Sequence, residues 1–133
     1  MKRKYRIFSI IAIVVIGIFA AVIGIKSQID KSIKQLAEVT ISDVDLKQLR
    51  DGSYTGSYKT DLVSAEVKVT VNNHKIAEIE LLEHKHGKGA PAEIIPDKVV
   101  EAQTLDVDTV SGATYSSKVI LKAIENALNS AKQ

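Results

Sequence analysis

Ala65-Glu66-Val67-Lys68-Val69-Thr70-Val71-Asn72-Asn73-His74-Lys75-Ile76-Ala77-Glu78-Ile79-Glu80-Leu81-Leu82 is the stretch that decides the fold. Residues 65–71 alternate apolar and polar, the mark of a strand with one covered face and one wet face. Residues 72–75 are turn-forming, and alternation resumes through Ile76, Ala77, Ile79 and Leu81. The pattern predicts an antiparallel β-hairpin. Upstream, Tyr54, Gly56 and Tyr58 occupy alternate positions of Ser53–Thr60 and predict a further strand. Gly56 inside it points to a bulge or to close approach of another backbone.

Downstream, Glu83–Pro91 is a glycine-punctuated loop containing His84, His86, Gly87 and Gly89. Pro91–Gln103 predicts a helix with Ile94, Ile95, Val99 and Ala102 inward. Pro96 fits only near a first turn, so Pro91–Ile95 is a candidate separate turn. Leu105–Val110 alternates and predicts a short strand. From Ser116 to about Ala131, apolar pairs recur every four residues at Val119/Ile120, Ala123/Ile124 and Ala127/Leu128. That is the clearest helical signal in the domain. The expected fold is α+β: an N-terminal transmembrane helix, then a small antiparallel-sheet domain packed on two helices. The expected domains are 1–6 as a basic N-terminus, 7–25 as a membrane anchor, 26–50 as a stalk and connector, and 51–133 as the soluble domain. Within 26–50, Lys26 to about Glu38 reads as a short polar helix, and Val44–Leu49 as another helical piece.

Ile7–Ile25 carries no charge, and thirteen of its nineteen residues are Ile, Val or Phe. At about 1.5 Å per residue it matches the ~30 Å hydrocarbon core. A cleaved signal peptide has a shorter apolar core, and Ala20-Ala21 makes no small-x-small site, which favours an uncleaved single-pass anchor. Lys2, Arg3, Lys4 and Arg6 precede it with no acidic residue. The positive-inside rule then places the N-terminus in the cytoplasm and the C-terminal domain outside the cytoplasmic membrane. The chain has no cysteine, which excludes disulfides, iron–sulfur clusters and c-type haem attachment. The net charge is only +2, and no basic tract with interleaved aromatics occurs, so nucleic acid is not an expected partner.

Asp108-Thr109-Val110-Ser111-Gly112-Ala113-Thr114-Tyr115-Ser116-Ser117 immediately precedes the last helix. Small residues admit a phosphate to the backbone, and a helix N-terminus offers free N–H groups and a positive dipole end. The bland alternative is a loop ending in a Ser/Thr helix cap. Read as Asp-x-x-Ser-Gly-Ala-Thr, the segment resembles the flavinylation motif of the FMN-binding domain family, which includes subunits of Na⁺-pumping quinone reductases and related electron-transfer complexes. The resemblance spans about residues 51–130. It implies FMN held by a phosphoester to Thr114, installed by a separate Mg²⁺-dependent flavin transferase with FAD as donor. Asp108, Ser111, Gly112, Ala113, Tyr115 and Ser116 then become recognition or cofactor-binding residues. Asp108 is equally readable as a turn-forming residue. The family's glycine-containing loop borders the isoalloxazine, so His84, Gly87 and Gly89 are candidates to line the flavin. The alternative for His84 and His86 is an exposed titrating pair. No nearby carboxylate pattern completes a metal site, so none is expected. Tyr54, Tyr58 and Tyr115 are candidates to stack on a flavin.

No nicotinamide fingerprint and no acid–base set is visible, so no catalytic residue is expected. The implied role is an electron carrier between membrane quinone or other electron-transfer proteins and an outside acceptor, not a self-sufficient enzyme. The rivals are a membrane-anchored non-redox interaction module and a flavin-sensing module.

Overall fold

The computed structural model describes residues 1–132. It divides into two compact units, one from Met1 to Gln35 and one beginning at Leu36. The first consists of helix α1, which runs without a break over Lys2–Glu38. Its mean hydropathy reaches 3.0 over an 18-residue window, and no residue of that window is buried. This helix is long and apolar enough to cross a membrane. The polar stretch after Lys26, expected as a separate short helix, simply continues it. Nothing in 26–38 breaks a helix: there is no Gly or Pro there.

The second unit is α+β. Strands β1 (Gly52–Lys59), β2 (Ser64–Asn72) and β3 (Lys75–Lys85) form one antiparallel sheet in the order β1-β2-β3. The predicted hairpin is β2–β3. Asn73 and His74 both take positive φ, at 50° and 59°, so this is a two-residue loop whose twist matches that of the strands. On β2, Ala65, Val67, Val69 and Val71 are buried. The simple alternation fails on β3, where the register shifts twice and leaves Ala77 and Leu82 as extra residues. Those bulges keep Ile76, Ile79, Leu81 and His84 on the inner face despite uneven spacing.

Helices α2 (Ile95–Ala102) and α3 (Thr114–Ser130) cover that face. Helix α3 buries Val119, Ile120, Ala123, Ile124, Ala127 and Leu128, as its period-four pattern requires. Its backbone presses on β1 at Gly56, where a Cβ would overlap the Ala123 carbonyl and the Ala127 amide. The glycine is therefore a contact point between strand and helix, and no bulge interrupts the β1–β2 pairing there. Pro91 belongs to a separate 3₁₀ turn, Ala90–Ile94, and Pro96 sits in the first turn of α2. The expected strand over Leu105–Val110 does not form: these residues pair with no strand and run as an irregular link into α3. Its partners lie elsewhere. The amide of Leu105 donates to Asp43 Oδ1, and that of Val110 to Ser117 Oγ.

Residues 39–50, read from sequence as connector, are built into this unit, together with Leu36 near the end of α1. Leu36, Val44 and Leu49 join the core cluster. The short helical piece expected at Val44–Leu49 is a 3₁₀ turn, Leu46–Gln48. The amide of Ser42 donates to the buried carboxylate of Glu125, whose other partner is Lys122.

Candidate functional site: the turn before α3 and the histidine loop

Val110–Ala113 is a tight turn. The Ala113 amide donates to the Val110 carbonyl at 2.9 Å, and Gly112 at its third position has φ +79°. That is the type II pattern, which wants glycine at this position. A Cβ on Gly112 would meet nothing within 4 Å, so backbone conformation, rather than crowding, calls for the glycine.

Helix α3 starts at Thr114, with Ala113 at its N-cap and no side chain capping it. The amides of residues 114–116 have no acceptor among the described residues, and the first turn carries no acidic side chain. Three unpaired N–H groups and the positive end of a 17-residue helix thus lie at the turn of helix that begins with Thr114. Thr114, Ser111, Gly112 and Asp108 are exposed, whereas Ala113, Ser116 and Ser117 are buried. Tyr115 is half-buried and donates its hydroxyl to Thr60 Oγ1 at 2.9 Å, tying the helix start to the end of β1. Tyr54 hydrogen-bonds the Arg50 carbonyl, and Arg50 in turn pairs with Ala131 beyond the far end of α3. It therefore stands away from the Thr114 turn.

The histidine loop is packed against this turn. A Cβ on Gly89 would overlap Ser116 Oγ, so backbone and helix meet without intervening bulk. Gly87 is open, with nothing within 4 Å of where a Cβ would sit. The reading of an exposed histidine pair fails for His84: its side chain is 2% exposed, carried inward by the bulge at Leu82. His86 lies over it, with ring centroids 4.4 Å apart, and stays partly exposed.

A carboxylate absent from the neighbouring sequence pattern arrives through the fold. Glu93, on the 3₁₀ turn, places Oε1 3.1 Å from His84 Nδ1 and 3.5 Å from His86 Nε2. The three ligand-type atoms lie within 4.8 Å of one another. Their hydrogen bonds are already apportioned. The Gly89 amide donates to His86 Nδ1 at 3.2 Å, while His86 Nε2 stands 3.5 Å from Glu93 Oε1, too far for a hydrogen bond. His84 donates through Nδ1–H to the same carboxylate, and its Nε2 is buried without a partner. A metal-bound histidine ordinarily donates its second nitrogen to an acceptor. Here one second nitrogen receives a donor and the other has none, so the cluster reads as a hydrogen-bonded clamp on the loop.

Sequence reasoning assigned no role to Glu93 or Thr60 and left Ser117 as one hydroxyl among several. Glu93 lies nine residues from His84 on another element, with no periodicity linking them. For Ser117 a signal did exist: it stands four residues after Ala113, where a helical serine can bond the carbonyl one turn back.

An NADH:acrylate oxidoreductase from Vibrio harveyi is 34% identical over 100 residues, covering 73% of this chain and 9% of that protein. A urocanate reductase from Eggerthella lenta is 32% identical over 80 residues, 58% of this chain and 13% of the reductase. The chain thus spans only a small part of the curated relatives it matches. A crystal structure of the CPE2226 protein from Clostridium perfringens superposes with a TM-score of 0.51 at 24% identity, covering 62% of this chain and 88% of that one, and so shares the fold. The FMN-binding domain matches residues 63–129, from the end of the β1–β2 turn to the last turn of α3, and the chain belongs to the FMN-binding domain family.

Proposed function

We propose that this protein is a membrane-anchored flavoprotein that carries FMN on Thr114 and relays electrons between membrane redox components and an acceptor outside the cytoplasm. The observation that carries the reading is the exposed Thr114 hydroxyl beside three unpaired amides at the start of α3. These residues fit a phosphate monoester made into a diester-like link: the hydroxyl supplies the attachment oxygen, the amides supply donors, and the exposed Gly112 adds no bulk. In the attachment step, Thr114 Oγ forms a bond to the FMN phosphorus of FAD. The pyrophosphate P–O bond breaks, AMP leaves, and the hydroxyl proton passes to a base of the transferase. No side chain of this chain accepts a hydrogen bond from Thr114 among the described residues, so activation of the hydroxyl falls to that Mg²⁺-dependent enzyme. Asp108, exposed and without a hydrogen-bond partner among the described residues, is available for its recognition.

Bound isoalloxazine accepts and donates electrons singly or in pairs. The chain's own part is to hold it. The His84–Glu93–His86 clamp fixes the loop Gly87–Gly89 against Ser116; Gly89, expected to line the flavin, is filled by that contact, and the open Gly87 is the glycine that leaves room for a planar ring. The oxidoreductase and reductase among the relatives support a redox role. Helix α1, whose first residues Lys2–Arg6 are basic ahead of the apolar run, supports an anchor with the domain on the outer side.

Intact mass and in-gel flavin fluorescence after denaturation test the proposal in a host that expresses the transferase. The wild-type chain is expected to gain the mass of one FMN less water, and Thr114→Ala to gain none while keeping its fold. Fluorescence retained by Thr114→Ala rejects the attachment site. An unmodified wild-type chain favours a non-redox interaction module.

A further inference from the structure

We propose that Ser117 is the positioning residue that holds the Thr114 turn in the shape the flavin transferase accepts; this rests on the attachment reading above. Ser117 is fully buried, one helical turn inside α3. Its Oγ accepts the Val110 amide at 3.0 Å and donates to the Ala113 carbonyl at 2.7 Å. The Ser117 amide also donates to the Ala113 carbonyl, at 2.9 Å, and the Ala113 amide to the Val110 carbonyl. Four hydrogen bonds therefore close a ring through Val110, Ala113 and Ser117, with Thr114 standing on its outer edge.

Back-bonding of a helical serine to the carbonyl four residues earlier is common and by itself specifies nothing. The bond from Val110, seven residues away, is what makes a clamp. It satisfies an amide that the link leading into the turn leaves without any other partner. The remaining turn residues add little restraint. Ser111 and Gly112 are exposed, the Ser111 side chain makes no hydrogen bond among the described residues, and Ala113 at the N-cap has no side-chain oxygen with which to cap the helix. Without the Ser117 hydroxyl only the two backbone bonds of the ring remain, with no restraint on the Val110 amide, around a glycine with φ +79°, a conformation that glycine leaves easily.

Phosphoryl transfer to a hydroxyl demands that the acceptor be held in line with the leaving group. If only a fraction of turns has the accepted shape, the apparent KM for the chain rises by the inverse of that fraction while kcat holds. The group that reacts is untouched, so the effect belongs in KM.

The test uses the full-length chain in detergent micelles, prepared without flavin, with purified transferase, FAD and Mg²⁺. Initial rates of flavin incorporation are followed against chain concentration. Ser117→Ala is expected to raise KM about fivefold or more with kcat unchanged. Its circular dichroism at the assay temperature should match wild type, and the Val110 amide should exchange faster with solvent. Ser117→Thr keeps the hydroxyl and is expected to retain the wild-type KM. Ile120→Val, a buried change on the same helix, lowers stability without touching the clamp and should also leave KM alone. A wild-type KM for Ser117→Ala overturns the proposal. So does an equal rise in Ile120→Val, or a Thr variant as poor as the Ala variant. If the wild-type chain gains no flavin mass at Thr114, the attachment reading fails, and the clamp's role fails with it.

Discussion

Replacing Gly89 with alanine isolates the contact between the histidine loop and α3. The backbone there has φ −90° and ψ 2°, which any residue adopts, so the substitution carries little conformational penalty. Steric overlap is the whole effect. The added Cβ would lie 2.7 Å from Ser116 Cβ and 3.1 Å from His86 Cβ, and closer still to Ser116 Oγ. Rotation of the Ser116 side chain relieves the hydroxyl clash but not the Cβ contact, because Ser116 Cβ is fixed to the helix backbone. The loop must retreat by roughly an ångström, at an overpacking cost of about 1–3 kcal/mol. For a domain of this size, each kcal/mol lowers Tm by roughly 4–8 °C. The full chain in detergent, melted by circular dichroism, should therefore lose at least about 4 °C. The second arm is Gly89→Ala with Ser116→Gly. Removing the Ser116 side chain costs helix propensity of roughly 0.5 kcal/mol but deletes both clashing atoms. The double variant should melt above Gly89→Ala alone, giving a favourable coupling energy. A Gly89→Ala Tm within a degree of wild type refutes the contact, as does a double variant whose losses simply add.

The hairpin, α3 and the turn chemistry were legible because each is a local pattern. Val67, Val69 and Val71 alternate, and Ile120, Ile124 and Leu128 recur every four residues. Gly56 also signalled its role, although only the fold reveals that the approaching backbone is α3. The strand expected at Leu105–Val110 shows where local pattern stops. Alternation gives a segment the capacity to pair, but no strand of the sheet takes this one up. Asp43 instead takes the Leu105 amide and Ser117 the Val110 amide. The same limit governs the histidine loop. Two residues apart, His84 and His86 looked alike in sequence, yet the bulge at Leu82 turns His84 into the core while His86 stays at the surface. Glu93, which bonds His84 and lies against His86, could not be paired with them by spacing, because a loop intervenes and Glu93 stands on the 3₁₀ turn beyond it. The resemblance around Thr114 needs no long-range contact, because the motif that carries it is contiguous from Asp108 to Thr114.

Gly112→Ala forces a left-handed conformation on a residue with a Cβ, at about 1–2 kcal/mol, and should lower Tm although the Cβ meets open space; an unchanged Tm would show that the turn relaxes freely. Lys122→Met leaves the buried Glu125 carboxylate with only the Ser42 amide as partner. The loss is expected at about 2 kcal/mol by urea unfolding, below the usual cost of breaking a buried pair because the lysine is partly exposed, and a loss under about 0.5 kcal/mol refutes the pairing. Asp43 supplies a pH signature. Burial pushes its carboxyl pKa up, but hydrogen bonds from the Thr104 hydroxyl and the Leu105 and Val44 amides outweigh that and hold it below the usual aspartate value. A pKa lower in the folded chain than in the unfolded chain means that the unfolded state binds the proton first. The stabilisation is thus complete above the unfolded value of about 3.9 and drains away as pH falls below it toward the folded value. Since Asp43 is exposed, solvent screening keeps the contribution under about 1 kcal/mol. Urea unfolding of wild type and Asp43→Asn between pH 5 and 3 should show the wild-type advantage shrinking as pH drops, because protonation removes the charge that accepts three donors at the junction of residues 43–44 with 104–105. Parallel pH slopes for the two chains would mean that the carboxylate is not what holds that junction.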